Sequence, residues 1–168
     1  MTLESATLEP DTATTHETST LAGKYLTFAL AGEEYGLPVL KVREIIKILA
    51  ITVVPQAPPH VKGVINLRGK VITVTDLRLK FGFPSQEYDE RTCIIVVQVA
   101  LQTSTVMMGV VVDAVSEVLT ITPDEIEATP DFGENVNTEF IKGVAKIKGR
   151  VKFLLDLDQI FGNAASLF

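Results

Sequence analysis

Apolar and polar residues alternate along much of this chain with the period of two that marks half-buried strands. Tyr25-Leu26-Thr27-Phe28-Ala29-Leu30 is the first such run. Ala31-Gly32-Glu33-Glu34 reads as a hairpin loop and Tyr35-Gly36-Leu37 as the returning strand. Pro38 has no N–H to donate, so that strand ends or lies at an edge there. Val39 to Ile46 mixes apolar and charged residues, which predicts a short helical turn leading into a strand. Pro55, Pro58 and Pro59 mark an irregular connector. From Gly63 to Gly82, two β-branched runs flank a tight corner, Asn66-Leu67-Arg68-Gly69, where Gly69 accepts a positive φ without steric conflict. Alternation turns Ile72 and Val74 inward, and Leu77 to Phe81 forms one helical turn stopped by Gly82. After a polar link, Phe83 to Glu90, the unbroken apolar run Thr92 to Val99 suits a strand buried on both faces. Thr122-Pro123-Asp124-Glu125 carries helix-start signals: a cap, Pro at the first position and acids in the first turn.

The pattern then proves to be written twice. Gly143 to Gly162 matches Gly63 to Gly82 without a gap at an offset of 80 residues. The identical pairs are Gly63/Gly143, Val64/Val144, Gly69/Gly149, Val71/Val151, Asp76/Asp156, Leu77/Leu157, Phe81/Phe161 and Gly82/Gly162. Upstream, Gly36/Gly109, Val39/Val112, Val42/Val115, Glu44/Glu117 and Ile45/Val118 correspond at an offset of 73. The second copy thus carries seven extra residues, placed within Pro123 to Glu139. A duplicated unit of about five short strands escapes its edge problem by closing into a small barrel, and two such barrels should pack through an apolar seam. The expected fold is all-β: two five-stranded barrels related by the internal repeat, with short helical turns. The expected boundaries are a disordered N-terminal tail over 1–23, a first half over 24–90, a second half over 91–162 with strand exchange between them left open, and a frayed end over 163–168. One position resists the scheme. Lys152 stands where the first copy has the inward Ile72, so either the copies face their cores differently or one strand is apolar on both sides because a partner covers it.

Composition narrows the function. Fifteen Lys and Arg against 21 Asp and Glu leave a net charge of −6, which argues against nucleic acid as the main partner. No apolar run approaches the ~20 residues of a membrane span, and Met1 to Thr7 lacks the features of a secretory signal. The lone Cys93 excludes an internal disulfide and fits a reducing compartment. His16 and His60 have no ligand spacing, so no metal site is expected. The glycines match no phosphate or dinucleotide cradle, so no cofactor is expected either. Asp76 and Asp156 read as caps of the turns that follow them, and Glu33-Glu34 as solvated loop residues. Nothing resembles an active site. What remains is surface. Val42, Glu44 and Ile45, with their mates Val115, Glu117 and Val118, form either core packing or a binding seam. Arg68, whose mate is Lys148, can make a bidentate pair that Lys cannot imitate. Its partner would be Glu44 or an acid of another protein, and the alternative is a solvated turn cation.

The runs Glu33 to Ile45, Val61 to Gly69, Asp76-Leu77-Arg78 and Met108 to Val115, in this order and spacing, resemble the CheW family of chemotaxis coupling proteins over about Lys24 to Gly162. The resemblance implies SH3-like barrels, no catalysis, and a cytoplasmic adaptor recruited to membrane receptor arrays. It implies two partners: the regulatory domain of the histidine kinase CheA, and the cytoplasmic tip of a methyl-accepting receptor, a helical hairpin docked between the barrels. By motif match the receptor groove comprises Val42, Glu44, Ile45, Gly63, Arg68, Val115 and Val118. The kinase contacts of the family come chiefly from the barrel opposite the first Gly-rich hairpin. Two departures bear on partner preference: Pro38 stands where many members have an acid, and the long C-terminal helix of the family is short or absent. A CheW-like adaptor of another kinase-linked pathway such as twitching motility, or a small β-barrel ligand-binding protein, are the alternative readings.

Overall fold

The computed structural model describes residues 21–130 and 139–162; residues 1–20 of the expected tail, the C-terminal 163–168 and the 131–138 part of the insertion lie outside them. The last three residues expected in the tail belong to the fold instead: Leu21 and Ala22 pack against the second barrel's core and Gly23 opens the first strand. Strands β1 (Gly23–Leu30) and β2 (Glu33–Pro38) form the first hairpin, and a 3₁₀ turn at Val39–Lys41 leads to β3 (Val42–Lys47). After the proline connector come β4 (Val61–Leu67), β5 (Lys70–Asp76) and the helical turn α1 (Leu77–Lys80). The second copy contains β6 (Cys93–Ala100), β7 (Thr105–Val112), β8 (Ala114–Ile121), a 3₁₀ turn at Pro123–Glu125, the short β9 (Ile126–Glu127), β10 (Ile141–Ile147), β11 (Arg150–Leu155) and α2 (Leu157–Ile160).

Local chemistry accounts for the corners. The β4–β5 corner is tighter than expected: the strands run to Leu67 and restart at Lys70, leaving Arg68 at φ +50° and Gly69 at φ +88°. Lys148 (+53°) and Gly149 (+78°) repeat it in the second copy. Two successive left-handed residues are the two-residue turn that matches strand twist. The Asn66 side-chain oxygen accepts from the Gly69 N–H at 2.8 Å and holds the corner. Asp76 Oδ1 accepts from the Arg78 N–H at 3.0 Å and Asp156 Oδ1 from the Gln159 N–H at 3.1 Å, so both duplicated aspartates cap their turns. The expected helix at Thr122 is a single 3₁₀ turn. Its Thr122 N–H donates to Glu125 Oε1 at 2.9 Å, and the chain extends again at Ile126.

The strands assemble into a six-stranded sheet, β8-β1-β2-β11-β10-β9, and a five-stranded sheet, β3-β6-β7-β5-β4. The two copies are therefore interleaved: the β1–β2 hairpin sits among strands of the second copy, and β6–β7 among strands of the first. The junctions are parallel pairs in the same register, Gly36 opposite Leu154 and Gly109 opposite Val74, repeat mates in both cases. Chain length explains the exchange. Only three residues join β2 to β3 and one residue, Asp113, joins β7 to β8. To close its own barrel, a hairpin would have to return across a whole strand of about 26 Å at ~3.3 Å per residue. Three extended residues reach only about 10 Å.

The largest apolar cluster is the seam between the sheets. It joins Leu26, Phe28, Leu30 and Leu37 of the first hairpin to Ile95, Val97, Val99, Met108 and Val110 of the second. Tyr35 stacks there on Phe28 (5.9 Å) and meets Phe81 (6.0 Å) and Phe153 (5.7 Å) at a tilt. Alternate residues of β6 point the other way: Ile94 and Val96 join Ile65, Ile72 and Val74 inside the first barrel. The second barrel encloses Tyr25, Ile121, Ile126, Ala145 and Leu154. Lys152 resolves against the first alternative and meets the second in part: β11 is apolar on both sides, Leu154 toward its barrel and Phe153 and Leu155 toward the seam, but the cover is this chain's own core. Lys152 faces its barrel as Ile72 does and is only 6% exposed. Its ammonium is paired with Glu34, which lies directly opposite on β2. Glu34 is thus a strand residue with a buried partner rather than a solvated loop acid.

Candidate functional site

Strands β3 and β8 are repeat mates, and each forms one edge of its sheet. Each carries a bulge at the same place, where Arg43 or Ser116 is skipped in the ladder. The bulge sends Val42 and Val115 toward the seam, where both are half-buried against its core. Three residues on, Ile45 (45% exposed) and Val118 (57%) stand free at equivalent positions. Each edge strand so offers one anchored and one exposed apolar residue beside a glutamate. Val42 and Val115 are packing residues, and Ile45 and Val118 are surface.

The two glutamates differ. Glu44 accepts from Arg68 through both carboxylate oxygens, with Nη1 at 3.2 Å from Oε2 and Nη2 on Oε1. The hydrogen bond from Arg68 holds the Glu44 carboxyl below the usual carboxylate range and raises the guanidinium in turn. Because Arg68 leaves a left-handed corner, its stem is aimed from a fixed backbone across to the opposite edge strand. Among the described residues, Glu117 and Lys148 form no such pair. The bidentate contact is a property of the first copy alone. Arg68 itself is exposed, and one face of the pair remains available to another molecule.

Gly63 lies apart. It is buried at a bulge in β4 with φ +145°, and a Cβ there would stand 2.0 Å from the carbonyl oxygen of Thr52. Thr52 and Val64 exchange both backbone hydrogen bonds at 2.8 Å, so Gly63 lets the connector cover the free edge of β4. It lies beneath the connector rather than on the surface. Pattern reading passed over exposed apolar residues: Leu40 (87%), Val53 and Val71, the last three positions from Arg68. For Val71 the signal was present, since inward Ile72 and Val74 force Val71 outward, and an apolar residue on the outer face of a strand is a surface marker.

The chemistry at hand is that of contact. Among the described residues no group of three or more His, Cys, Asp or Glu is placed to hold a metal ion. No helix among them is long and apolar enough to cross a membrane. Burial pushes the Cys93 thiol up, against a weaker opposing effect of a hydrogen bond with the Val115 backbone. Burial also depresses His60, aided by nearby Lys80. An open, mainly apolar cleft of about 360 Å³ lies beside β1, bounded by Tyr25, Val39, Leu40 and Lys142.

Comparison with known proteins places this architecture. The family model described as a CheW-like domain matches residues 24–165. The chain is 37% identical over 150 residues to the chemotaxis protein CheW of Rhizobium meliloti, covering 84% of this chain and 94% of that protein. It is 35% identical over 144 residues to the chemotaxis protein CheW of Klebsiella aerogenes, covering 86% and 84%. Among solved structures, the scaffolding protein TtCheW from Thermoanaerobacter tengcongensis superposes with a TM-score of 0.73 at 35% identity, covering 83% of this chain and 92% of that one.

Proposed function

The chain belongs to the CheW family, and from that premise we propose that it is a non-catalytic scaffold of bacterial chemotaxis that couples methyl-accepting receptors to the kinase CheA. The observation that carries the reading is the pair of repeat-related edge strands, each with an anchored valine, a glutamate and an exposed β-branched residue beside the seam. An apolar strip ringed by a few oriented charges suits one face of a helical hairpin, the shape of a receptor tip. In this reading Val42, Ile45, Val115 and Val118 supply the apolar contact. Glu44 and Arg68 supply an oriented charge pair, and Gly63 holds the supporting connector. The regulatory domain of the kinase binds elsewhere on the surface, and the protein works in the cytoplasm at receptor arrays.

The test is co-sedimentation with a receptor cytoplasmic fragment and CheA, comparing wild type with Arg68→Glu. The substitution sits at an exposed turn and should leave stability within about 0.5 kcal/mol. Receptor capture should fall several-fold while kinase capture persists. Unchanged receptor capture, or an unfolded variant, would overturn the assignment of this site.

A further inference from the structure

Three ion pairs among the described residues run between the copies, and none is repeated at the equivalent positions: Lys41 has Ala114 as its mate and Asp113 has Leu40. At the parallel junction of the second barrel Lys152 pairs with Glu34, whereas the mates in the first barrel are the apolar Ile72 and Met107. At the crossover from β2 to β3, Lys41 donates to both oxygens of Asp158 on α2, at 3.1 and 3.0 Å. At the crossover from β7 to β8, Asp113 accepts from Arg78 on α1 at 2.7 Å. Arg78 and Asp158 are repeat mates at the offset of 80, so the two crossover clamps have opposite polarity. Each carboxylate also takes a backbone N–H at the end of a strand, Ala31 for Asp113 and Ala100 for Asp158, both at 2.9 Å.

We propose that these three pairs are a pairing code that lets each hairpin enter only the barrel of the unlike copy, and so bars hairpin exchange of like with like between two molecules of this chain. The hazard comes from the duplication itself. Both hairpins enter their barrels with the same backbone register, so shape does not tell them apart. The short crossovers forbid self-closure within one chain but not insertion into a second copy. If β1–β2 of one molecule entered the first barrel of another, the repeat register would set Glu34 against Ile72 and Lys41 beside Arg78. If β6–β7 entered the second barrel of another, Lys152 would face Met107 and Asp113 would meet Asp158. The first wrong assembly strips half-buried Glu34 of its partner, the second buries the Lys152 ammonium unpaired, and both appose like charges, whereas the native assembly does none of these. A contact made only for stability needs no reversal of sign between the copies.

The test is refolding of the full chain from denaturant at rising concentration, read by size-exclusion chromatography with light scattering. Arg78→Asp together with Asp113→Arg keeps opposite charges at that clamp in the native fold. It also makes both clamps attractive in like-with-like pairing. Adding Glu34→Met and Lys152→Ile gives the second barrel the neutral character of the first. Wild type should refold as monomer, and the fourfold variant should show an oligomer fraction raised about tenfold or more. Complete refolding of that variant to monomer overturns the proposal, and so does a wild type that oligomerises equally. If the fourfold variant does not refold, the double variant Arg78→Asp/Asp113→Arg decides by the same criterion. Failure of the double variant to fold also overturns it, because the clamp would then be structural rather than discriminating.

Discussion

The two barrels share a backbone plan and solve their interiors differently. At equivalent ladder positions the first barrel places Val96 and the second Thr27, each opposite a glycine, Gly109 or Gly36. The first places Ile65 where the second has Ala145, and Ile72 where the second has Lys152. Hydrocarbon packing fills the first. In the second, Thr27 Oγ1 donates to the Glu117 carbonyl at 2.9 Å and accepts from its N–H at 3.2 Å, which stitches the bulge of β8. Glu34 accepts from Lys152 and also from the Ser116 hydroxyl at 3.3 Å, linking β11 to β8 across the sheet. Dispersion and area burial tolerate some slippage, whereas charge and hydrogen-bond geometry do not. The apolar barrel therefore supplies stability, and the polar one is the stricter about what it accepts.

That contrast can be broken most forcefully at the ion pair. Glu34→Ala leaves a nearly enclosed ammonium without a partner and should cost about 3 kcal/mol in urea unfolding. Glu34→Met with Lys152→Ile should recover to within about 1 kcal/mol of wild type, because the first barrel already demonstrates that packing. Equal losses in the single and double variants would mean the pair is not coupled. Next in size is the glycine comparison. Gly63→Ala meets a backbone carbonyl at a positive φ and should cost roughly 2–3 kcal/mol. Gly143→Ala has no positive φ and meets first the Leu21 Cδ1 at 2.9 Å, a side chain that can move, so about 1 kcal/mol or less is expected. Thermal unfolding of the two variants side by side checks the ranking. Thr27→Val imports the first barrel's residue and should cost about 1–2 kcal/mol through the two lost hydrogen bonds to Glu117.

The smallest effect is the dependence on acid. The Lys152 hydrogen bond lowers the Glu34 carboxyl from its ordinary 4.5. The folded value lies below the unfolded one, so this stabilisation is fully present above about pH 4.5 and is lost as pH falls through the folded value. Urea midpoints followed from neutral pH into acid should fall less steeply for Glu34→Met/Lys152→Ile than for wild type. Parallel curves would remove Glu34 from the acid sensitivity.

Legibility followed locality. The corner glycines, the duplicated caps and the short helical turns were readable because each depends on residues within a few positions. The Glu44–Arg68 pair was one of two open choices, reachable because repeat asymmetry singled out Arg68 against Lys148. Gly63 matched the motif of a binding groove, but its buried place under Thr52 was hidden, since nothing near it in the chain reports which segment lies on top. Lys152 misled for the same reason. Its partner is separated by 118 residues, and a lysine in an inward register reads as a contradiction until the opposing strand is known.

The amino-acid order by itself determined that one unit is written twice and where its tight corners and caps fall, while the crossovers of three residues and one that keep each hairpin out of its own copy came to light with the observed strand ends. Corners and caps are matters of dihedral preference, which acts over short stretches. Only the tertiary structure decided which side chains face one another across the interleaved junctions. It turned Lys152 inward, gave the clamps opposite signs, and set Ile45 and Val118 free at the two edges. Such pairings depend on the strand that arrives from the other half of the chain, and electrostatic partners across a sheet leave no local periodicity to read.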